Sequence, residues 1–532
     1  MKRYNGWGDD AIHVELPDAA GEILGERVGP GVPVESAPLK KLLEKVSPPR
    51  IPETHPGMHT DAHTRFEHSH GQSMPDWIAM RFGTMGRFPD AVAMPDSEAE
   101  AEDILDFADK HDMVVVPYGG GTSVVGHLNV PETENPVLSL SMEKMNGLLA
   151  FEPQDMLATF GAGVTGPQLE ATLNDLGYTL GHYPQSFDYS TLGGWVVTRS
   201  SGQQSLYYGR IEDLFAGGRL ISPRGRMEFP PYPASAAGPD LRHVVLGSEG
   251  RLGLLTQASV RISAIAENDH VYGVFFPDWD AAVSAVFELA NSDVPLSMIR
   301  LSNPMETYTN LFLAGHENQV GLLKRYLRIR GLRESDWCMM LMGLIGPSKL
   351  FSHGKSLAGK IIRRHGGIST GRPMGDAWRK NRFRAPYLRN TLWENGYAVD
   401  TLETATTWSR VTPTIDAVES AISGALDAMD EKVHVFTHLS HVYSSGSSIY
   451  TTYVFRIAGT PEETIDRWQR IKSAASRAIV EKGGTISHQH GVGEDHKQYL
   501  EAEKGKLGID MLNTVFAGMD PRNRMNPGKL TD

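Results

Sequence analysis

The apolar positions change their spacing as the chain runs. Ala91-Val-Ala-Met-Pro95 and Met113-Val-Val-Val-Pro-Tyr118 are short apolar runs of strand type. Between them lies SEAEAEDILDFADKHD, which predicts a helix starting at Ser97 with Glu98 and Glu100 in its first turn. VLSLS and LATFGAG predict further strands and PQLEATLNDLG a helix. A long Gly/Ser-rich region, Pro184 to Gly225, follows, and VVLGSEGRLGLLTQASVRIS closes the first half. From about residue 266 the texture changes. HVYGVFFPDW and SMIRLSN predict strands around a helix AAVSAVFELANS. A basic segment, Lys355 to Arg384, leads into the β-rich VHVFTHLSHVYSSGSSIYTTYVFRI and the helix ETIDRWQRIKSAASRAIVEKGG. Residues 1–75 are rich in Pro and His, with short helical patterns such as Leu39 to Val46. No internal repeat is visible, and the order of elements predicts an α+β or α/β protein.

Composition narrows this picture. A chain of 532 residues exceeds one compact core and predicts two or three domains. A net charge of −13 without a sustained basic patch argues against nucleic acid as a partner. The single cysteine, Cys338, excludes an intramolecular disulfide and reads as a buried small hydrophobe. The N-terminus lacks a signal-peptide core, and no apolar stretch reaches the roughly 18 residues of a membrane span. A cytoplasmic protein is expected, with peripheral membrane contact left open and residues 1–75 as the candidate segment for it.

The richest chemistry is at Val114 to Leu128, VVVPYGGGTSVVGHL. A buried strand ends there in three glycines and two hydroxyl residues. Free backbone N–H groups and the Thr122 and Ser123 hydroxyls can cradle an anion, which predicts a bound nucleotide cofactor. No Lys-Ser or Lys-Thr follows at Walker A spacing, and no helix start follows Ser123.

Four segments together resemble one family, the flavoproteins of the vanillyl-alcohol oxidase / p-cresol methylhydroxylase (PCMH) superfamily. They are PYGGGTS (Pro117 to Ser123), STLGGWVVTRSSGQQSLYYGRIEDL (Ser190 to Leu214), GSEGRLGLLTQASVRI (Gly247 to Ile262), and ISHQHGVG (Ile486 to Gly493) with NPGKL (Asn526 to Leu530). Within it the chain resembles the alkyldihydroxyacetonephosphate synthases, through YNGWG near the start, SFDYSTLGGWVVTRSSG, the IRL at Ile299 to Leu301, ETATTWSRV and SHVYSSGSSIYTTY. The resemblance implies an α+β fold in which a two-part FAD domain is interrupted by a cap with an antiparallel sheet flanked by helices. It divides the chain into an N-terminal extension (1–75), a PCMH-type FAD domain (76–265), a cap (266–480) and a C-terminal return to the flavin (481–532). It implies a homodimer.

By that resemblance Pro117, Gly119, Gly120, Gly121, Thr122 and Ser123 hold the FAD diphosphate. Ser190, Thr191, Gly193 and Gly194 form a second small-residue turn against the ring system, with Ser200 and Gly202 beyond it. Glu249, Gly250 and Gly253 line the adenine and ribose side. Tyr118 to Thr122 contain no histidine to carry the flavin, so FAD is expected to be noncovalent, with His127 expected on the surface or in a loop. Tyr450 is implied as the proton-handling residue at the substrate's C1. His488 and His490, whose spacing also suits metal ligation, are implied as its assistants. The synthases carry three consecutive histidines there, and this chain has Gln489 in the middle. Arg300 and Arg410 are implied as forks for phosphate or carboxylate.

Two reactions remain. The first exchanges the acyl group of an acyl-dihydroxyacetone phosphate for a fatty alcohol without net redox, the flavin trapping the substrate carbon. The second is a dehydrogenase or oxidase of a D-2-hydroxy acid or other alcohol. Relatives of the second type commonly bind a divalent metal through His-x-Gly-Asp-Gly-Asn-x-His and Ser-Gly-Glu-His-Gly. Here the strand keeps one histidine and lacks the acidic residue, Tyr450 stands for the second histidine and Gln489 for the glutamate. The pattern favours the first reaction, with no metal.

Overall fold

The computed structural model describes residues 2–51, 53–313 and 317–531. Its first half carries two main sheets. Ala91–Ala93, Val137–Ser141 and Val114–Tyr118 run parallel, with Met58–His59 antiparallel at the edge. The helix Glu98–Lys110, capped by the Ser97 side chain, supplies the crossover and buries Ala101, Ile104, Leu105 and Ala108. The second sheet is antiparallel, in the order Leu148–Glu152, Leu157–Gly161, Leu254–Arg261, Phe215–Ser222, Gly225–Phe229.

The second half is built on one seven-stranded antiparallel sheet. Its order is Ile368–Gly371, Asn268–Phe276, Cys338–Gly346, Leu296–Ser302, His434–Leu439, Gly446–Arg456, Tyr397–Thr407. The helices Trp279–Ala290, Ser348–Arg364, Trp408–Gly424 and Pro461–Glu481 pack against this sheet or one another. The two-residue period of the strands sorts their side chains. Ile299, Leu301, Ile449, Tyr453 and Phe455 join the buried clusters, while Met298, Arg300, His438, Tyr450, Thr452 and Val454 line a cavity.

Both chain ends return to this frame. Val115 N–H donates to the Arg524 carbonyl at 2.8 Å, and Asn526 N–H to the Val115 carbonyl at 2.8 Å. The C-terminal residues thus seat beside the cofactor strand. Near the N-terminus, Trp7, Leu42 and Phe66 are buried with Trp393 and Ile471.

The expected segments fall in the fold as follows. The boundary after residue 75 cuts the helix Met74–Phe82, and that at 480 cuts Pro461–Glu481. The Gly/Ser-rich region contains the helices Leu192–Thr198, Ser205–Tyr208 and Ile211–Leu214 and leads into the strand Phe215–Ser222. Leu39 to Val46 is helical only over Leu39–Leu43. Cys338 is fully buried in a central strand. No helix among the described residues is long and apolar enough to cross a membrane.

Candidate active site

A cavity of about 540 Å³ runs between the glycine loop and the open face of the seven-stranded sheet. At one end Gly119, Gly120, Gly121, Thr122 and Ser123 line it. Side chains have no room there. A Cβ on Gly119 would stand 2.6 Å from Thr191 Oγ1, and one on Gly120 would overlap the Tyr189 carbonyl. The loop and the segment Tyr189 to Thr191 therefore pack backbone to backbone. Ser190 and Thr191 are the start of a helix rather than a plain turn, since Thr191 Oγ1 accepts the Gly194 N–H at 3.3 Å. Gly193 is small because Ala162 lies behind it, and a Cβ on Gly194, which also lines the cavity, would stand 3.3 Å from Thr191 Oγ1. The cradle thus fits a long ligand carrying a diphosphate.

Other cofactor candidates have different roles from those expected. The two oxygens of Glu249 accept the Val492 and Gly493 N–H groups at 2.6 and 2.9 Å. This residue pins the C-terminal turn to the cradle, so its carboxylate is not free for ribose. Ser200 Oγ is paired with His182 Nε2 at 2.7 Å. Gly202 lets the chain pass close to the Tyr183 N–H, and Gly250 and Gly253 adopt positive φ against Pro117 and Ile221. His127 lies in a turn, as the loop alternative expected, but is buried rather than on the surface. It is 6% exposed, with Nδ1 2.9 Å from Ser123 Oγ and Nε2 3.1 Å from Glu249.

The catalytic candidates sit on or beside the seven-stranded sheet. Tyr450 is opposite Glu403 and His438 in the ladder, so its strand is held on both sides. Its hydroxyl is 3.3 Å from Thr401 Oγ1, and burial pushes its pKa up to about 12. Its ring stacks on His438 at 4.8 Å and meets His490 edge-on at 5.9 Å. His490 lines the cavity, and burial lowers its pKa, so it is a neutral base at pH 7.

His488 does not join it. Residues 488–490 lie in bends rather than a strand, and His488 turns away from the cavity. Its Nδ1 lies 3.1 Å from Glu403 and its Nε2 2.6 Å from the Tyr443 hydroxyl. Burial alone would raise Glu403, but the His488 imidazole, with His441 and His490, pulls it well below the usual carboxylate range. Glu403, His441 and His488 are close enough to share an ion. A cation would, however, meet the Arg210 guanidinium, 3.3 Å from His488, and His441 Nδ1 is already near Ser201 and Ser205. The arrangement is better suited to holding imidazoles in place than to holding a metal.

The arginines also part company. Arg300 lines the cavity, but its Nη2 donates to Glu306 at 2.7 Å and lies 3.4 Å from His438. His438 and Arg300 overcome burial to bring Glu306 down to about 2. Arg410, expected beside Arg300, lies at the exposed start of the helix Trp408–Gly424, outside the cavity. A second guanidinium that lines the cavity is Arg389, on the helix Leu388–Glu394. Its guanidinium rests 4.2 Å over the Trp77 ring and donates through Nη1 to the Gln72 carbonyl at 2.6 Å. Its Nε and Nη2 are buried and have no acceptor among the described residues. Two unpaired donors of a guanidinium lining a cavity call for an anionic ligand.

Comparison with known proteins agrees with the cofactor cradle. Residues 89–228 match the family described as FAD binding domain, and residues 265–530 that described as FAD linked oxidases, C-terminal domain. The first span includes the glycine loop, and FAD is the cofactor of this cradle. An alkyldihydroxyacetonephosphate synthase of Dictyostelium discoideum is 30% identical, covering 99% of this chain and 93% of the relative. A solved alkyldihydroxyacetonephosphate synthase superposes with a TM-score of 0.84 at 26% identity, covering 99% of this chain and 98% of that one. A p-cresol methylhydroxylase structure shares the fold, with a TM-score of 0.67 at 12% identity over 92% of this chain and 96% of that one. The chain belongs to the FAD-linked oxidase family, among its alkyldihydroxyacetonephosphate synthases.

Proposed function

We propose that this flavoenzyme exchanges the acyl group of an acyl-dihydroxyacetone phosphate for a fatty alcohol, a step of ether-lipid synthesis. The carrying observation is that one cavity holds both an unpaired arginine fork and an apolar wall. Arg389 offers its donors there, and Leu24, Leu313, Val399, Phe436 and Val454 line the same space. That pairing suits a phosphate headgroup with an alkyl chain. In the exchange the C1–O bond to the acyl group breaks and one to the alcohol oxygen forms. The alcohol's proton leaves with the fatty acid.

Bound FAD, noncovalent here, supplies a nucleophilic and electron-accepting ring for a reaction with no net oxidation. The residues of the chain do the rest. Gly119 to Ser123 hold the diphosphate and Arg389 the substrate phosphate. Tyr450 handles the C1 proton as a neutral phenol, with His490 as the neighbouring base and His438 fixing the phenol ring. Glu306 holds His438 and Arg300. Glu403 holds His488 and, through it, the turn that carries His490.

The first half with the C-terminal return is read as the cofactor domain, and residues around 266–480 as the cap. Peripheral membrane contact is assigned to the helix Glu317–Ile329 rather than to the N-terminal segment, whose Trp7, Leu42 and Phe66 are buried in the core. Leu322, Tyr326 and Ile329 are exposed along one stripe, beside Arg325 and Arg328. Flotation with anionic vesicles, lost in Leu322→Glu, tests this. Homodimerisation is supported by exposed Leu507 and Met511, one turn apart, and is tested by the mass in solution.

The deciding experiment is anaerobic titration of the yellow protein. Palmitoyl-dihydroxyacetone phosphate should perturb the flavin spectrum and release fatty acid, with no net reduction once fatty alcohol is added. Bleaching by a D-2-hydroxy acid, reversed by an electron acceptor, would establish the redox reading instead.

A further inference from the structure

The opening motif, Lys2-Arg-Tyr-Asn-Gly-Trp-Gly-Asp9, takes no part in the chemistry above, yet the fold builds a seat for it. Lys2 and Asp9 form an antiparallel bridge, and the Arg3 N–H donates to the Gly8 carbonyl at 2.7 Å. Residues 2–9 are therefore a closed loop. Asn390 clamps its tip: Oδ1 accepts the Trp7 N–H and Nδ2 donates to the Trp7 carbonyl, both at 3.0 Å. The Asp9 N–H donates to the Tyr387 hydroxyl at 3.2 Å. Both glycines are needed for this approach. A Cβ on Gly6 would overlap Asn390 Oδ1, and one on Gly8, at φ +79°, would overlap the Tyr387 ring.

The loop so held presents two donors. Trp7 is 7% exposed, lines the cavity and stands edge-on to Tyr189 at 5.7 Å. Its Nε1–H is buried without an acceptor among the described residues. An indole N–H can only donate, and leaving it unpaired in the interior is costly, so the site is complete only with a ligand oxygen. Tyr189 is the residue whose carbonyl backs Gly120. Lys2 reaches the same loop, with Nζ 5.9 Å from the Tyr118 ring centre and 3.2 Å from where a Cβ on Gly121 would stand. The ammonium thus approaches the glycine loop itself at Gly121, and the indole ring packs against Tyr189, whose carbonyl backs Gly120.

We propose that residues 2–9 form a strap that closes over the diphosphate of bound FAD, with Lys2 Nζ and Trp7 Nε1 as its donors. The strap joins the cofactor loop to the helix carrying Asn390 and Arg389, so flavin retention and the substrate's phosphate fork share one support.

The test uses the holoprotein and follows free-FAD fluorescence after dilution. Trp7→Phe keeps an aromatic ring and removes the donor. Lys2→Gln removes the charge from an exposed position. Each should speed flavin release about tenfold, the usual worth of one charge-assisted or buried hydrogen bond. Apoprotein melting temperatures should match that of the unaltered chain. A change in one variant alone keeps the strap and assigns the contact to that donor. Unchanged release in both overturns the proposal. So does a raised KM for the phosphorylated substrate with unchanged release, which would give the donors to the substrate. Faster release with a lowered apoprotein melting temperature would make the strap structural only.

Discussion

In the flavin cradle, Gly119 to Ser123 follow one another along the chain and act through their backbone. On the sheet face opposite, Arg300, His438 and Tyr450 come from three different strands and act through side chains. Glu306 and Arg389, which complete that face, come from helices. The cradle depends on what is missing, since Cβ atoms would close it. The face depends on what is paired, since each imidazole or guanidinium there is aimed by a carboxylate or left unpaired for a ligand. A contiguous motif tolerates no added atom. A dispersed set tolerates substitution but loses one function at a time.

The sharpest break of that comparison is Gly120→Ala. The added methyl group must displace the Tyr189 carbonyl, which is backbone and has little freedom. Overpacking of this kind costs on the order of 3 kcal/mol. The purified variant should be colourless, with a lowered melting temperature. A yellow variant with normal stability would mean the loop is not held as described.

Tyr450→Phe should act the other way. The strand keeps both its ladders and the flavin spectrum stays, while exchange of acyl for alkyl falls by about 10²- to 10⁴-fold, the range for loss of a proton-transfer group. Full turnover would remove Tyr450 from the chemistry.

The contrast also explains what could be read from the chain. The glycine loop, the Ser97 cap and the β-rich Gly446–Arg456 strand are local patterns, and they stand where the periodicity puts them. FAGGRLIS hid its strand behind two glycines, which have no side chain to show the alternation. Those glycines are where neighbouring backbone presses close, Gly217 against Phe229 and Gly218 against Gln257. His488 and His490 looked equivalent at a two-residue spacing, but that rule needs an extended strand, and the chain bends there. Arg410 stood in a matching motif yet falls at an outward position of its helix. Glu306, Glu403 and Arg389 carry no local signature, because each is defined by a partner far along the chain: Glu306 by His438, Glu403 by His488, Arg389 by Gln72.

The two arginines turn this into a direct test. Arg389→Lys keeps the charge but removes the fork, and should raise the KM for the acyl phosphate about tenfold with the flavin spectrum intact. Arg410→Ala, on the exposed helix start, should leave both constants unchanged. A reversal of these results would return the phosphate to Arg410.

The smallest expected effect compares the two regions through one buried histidine in each. His182 lies behind the cradle against Ser200, and His441 behind the sheet face near Ser201 and Ser205. Burial lowers both pKa values to about 3. Above pH 6.5 each is neutral whether the chain is folded or unfolded, so neither shifts stability. As pH falls below 6.5 the unfolded chain takes up the proton and the folded one does not. Stability is therefore lost on the acid side, at up to about 1.4 kcal/mol per pH unit for each histidine. Between pH 7 and 5.5 the loss is about 1 kcal/mol each. The depressed Glu403 adds nothing in this window, since its loss begins only near the ordinary glutamate value of 4.5. Urea midpoints at the two pH values would measure these losses together with those of His70 and His434, whose pKa values burial also lowers, and the opposing gain from Asp495, which burial raises to about 7. His182→Gln and His441→Gln should each remove their share, with flavin release tracking His182 and loss of sheet signal tracking His441. If the two signals stay locked together in both variants, cradle and sheet unfold as one cooperative unit, and the contrast between them is one of chemistry alone.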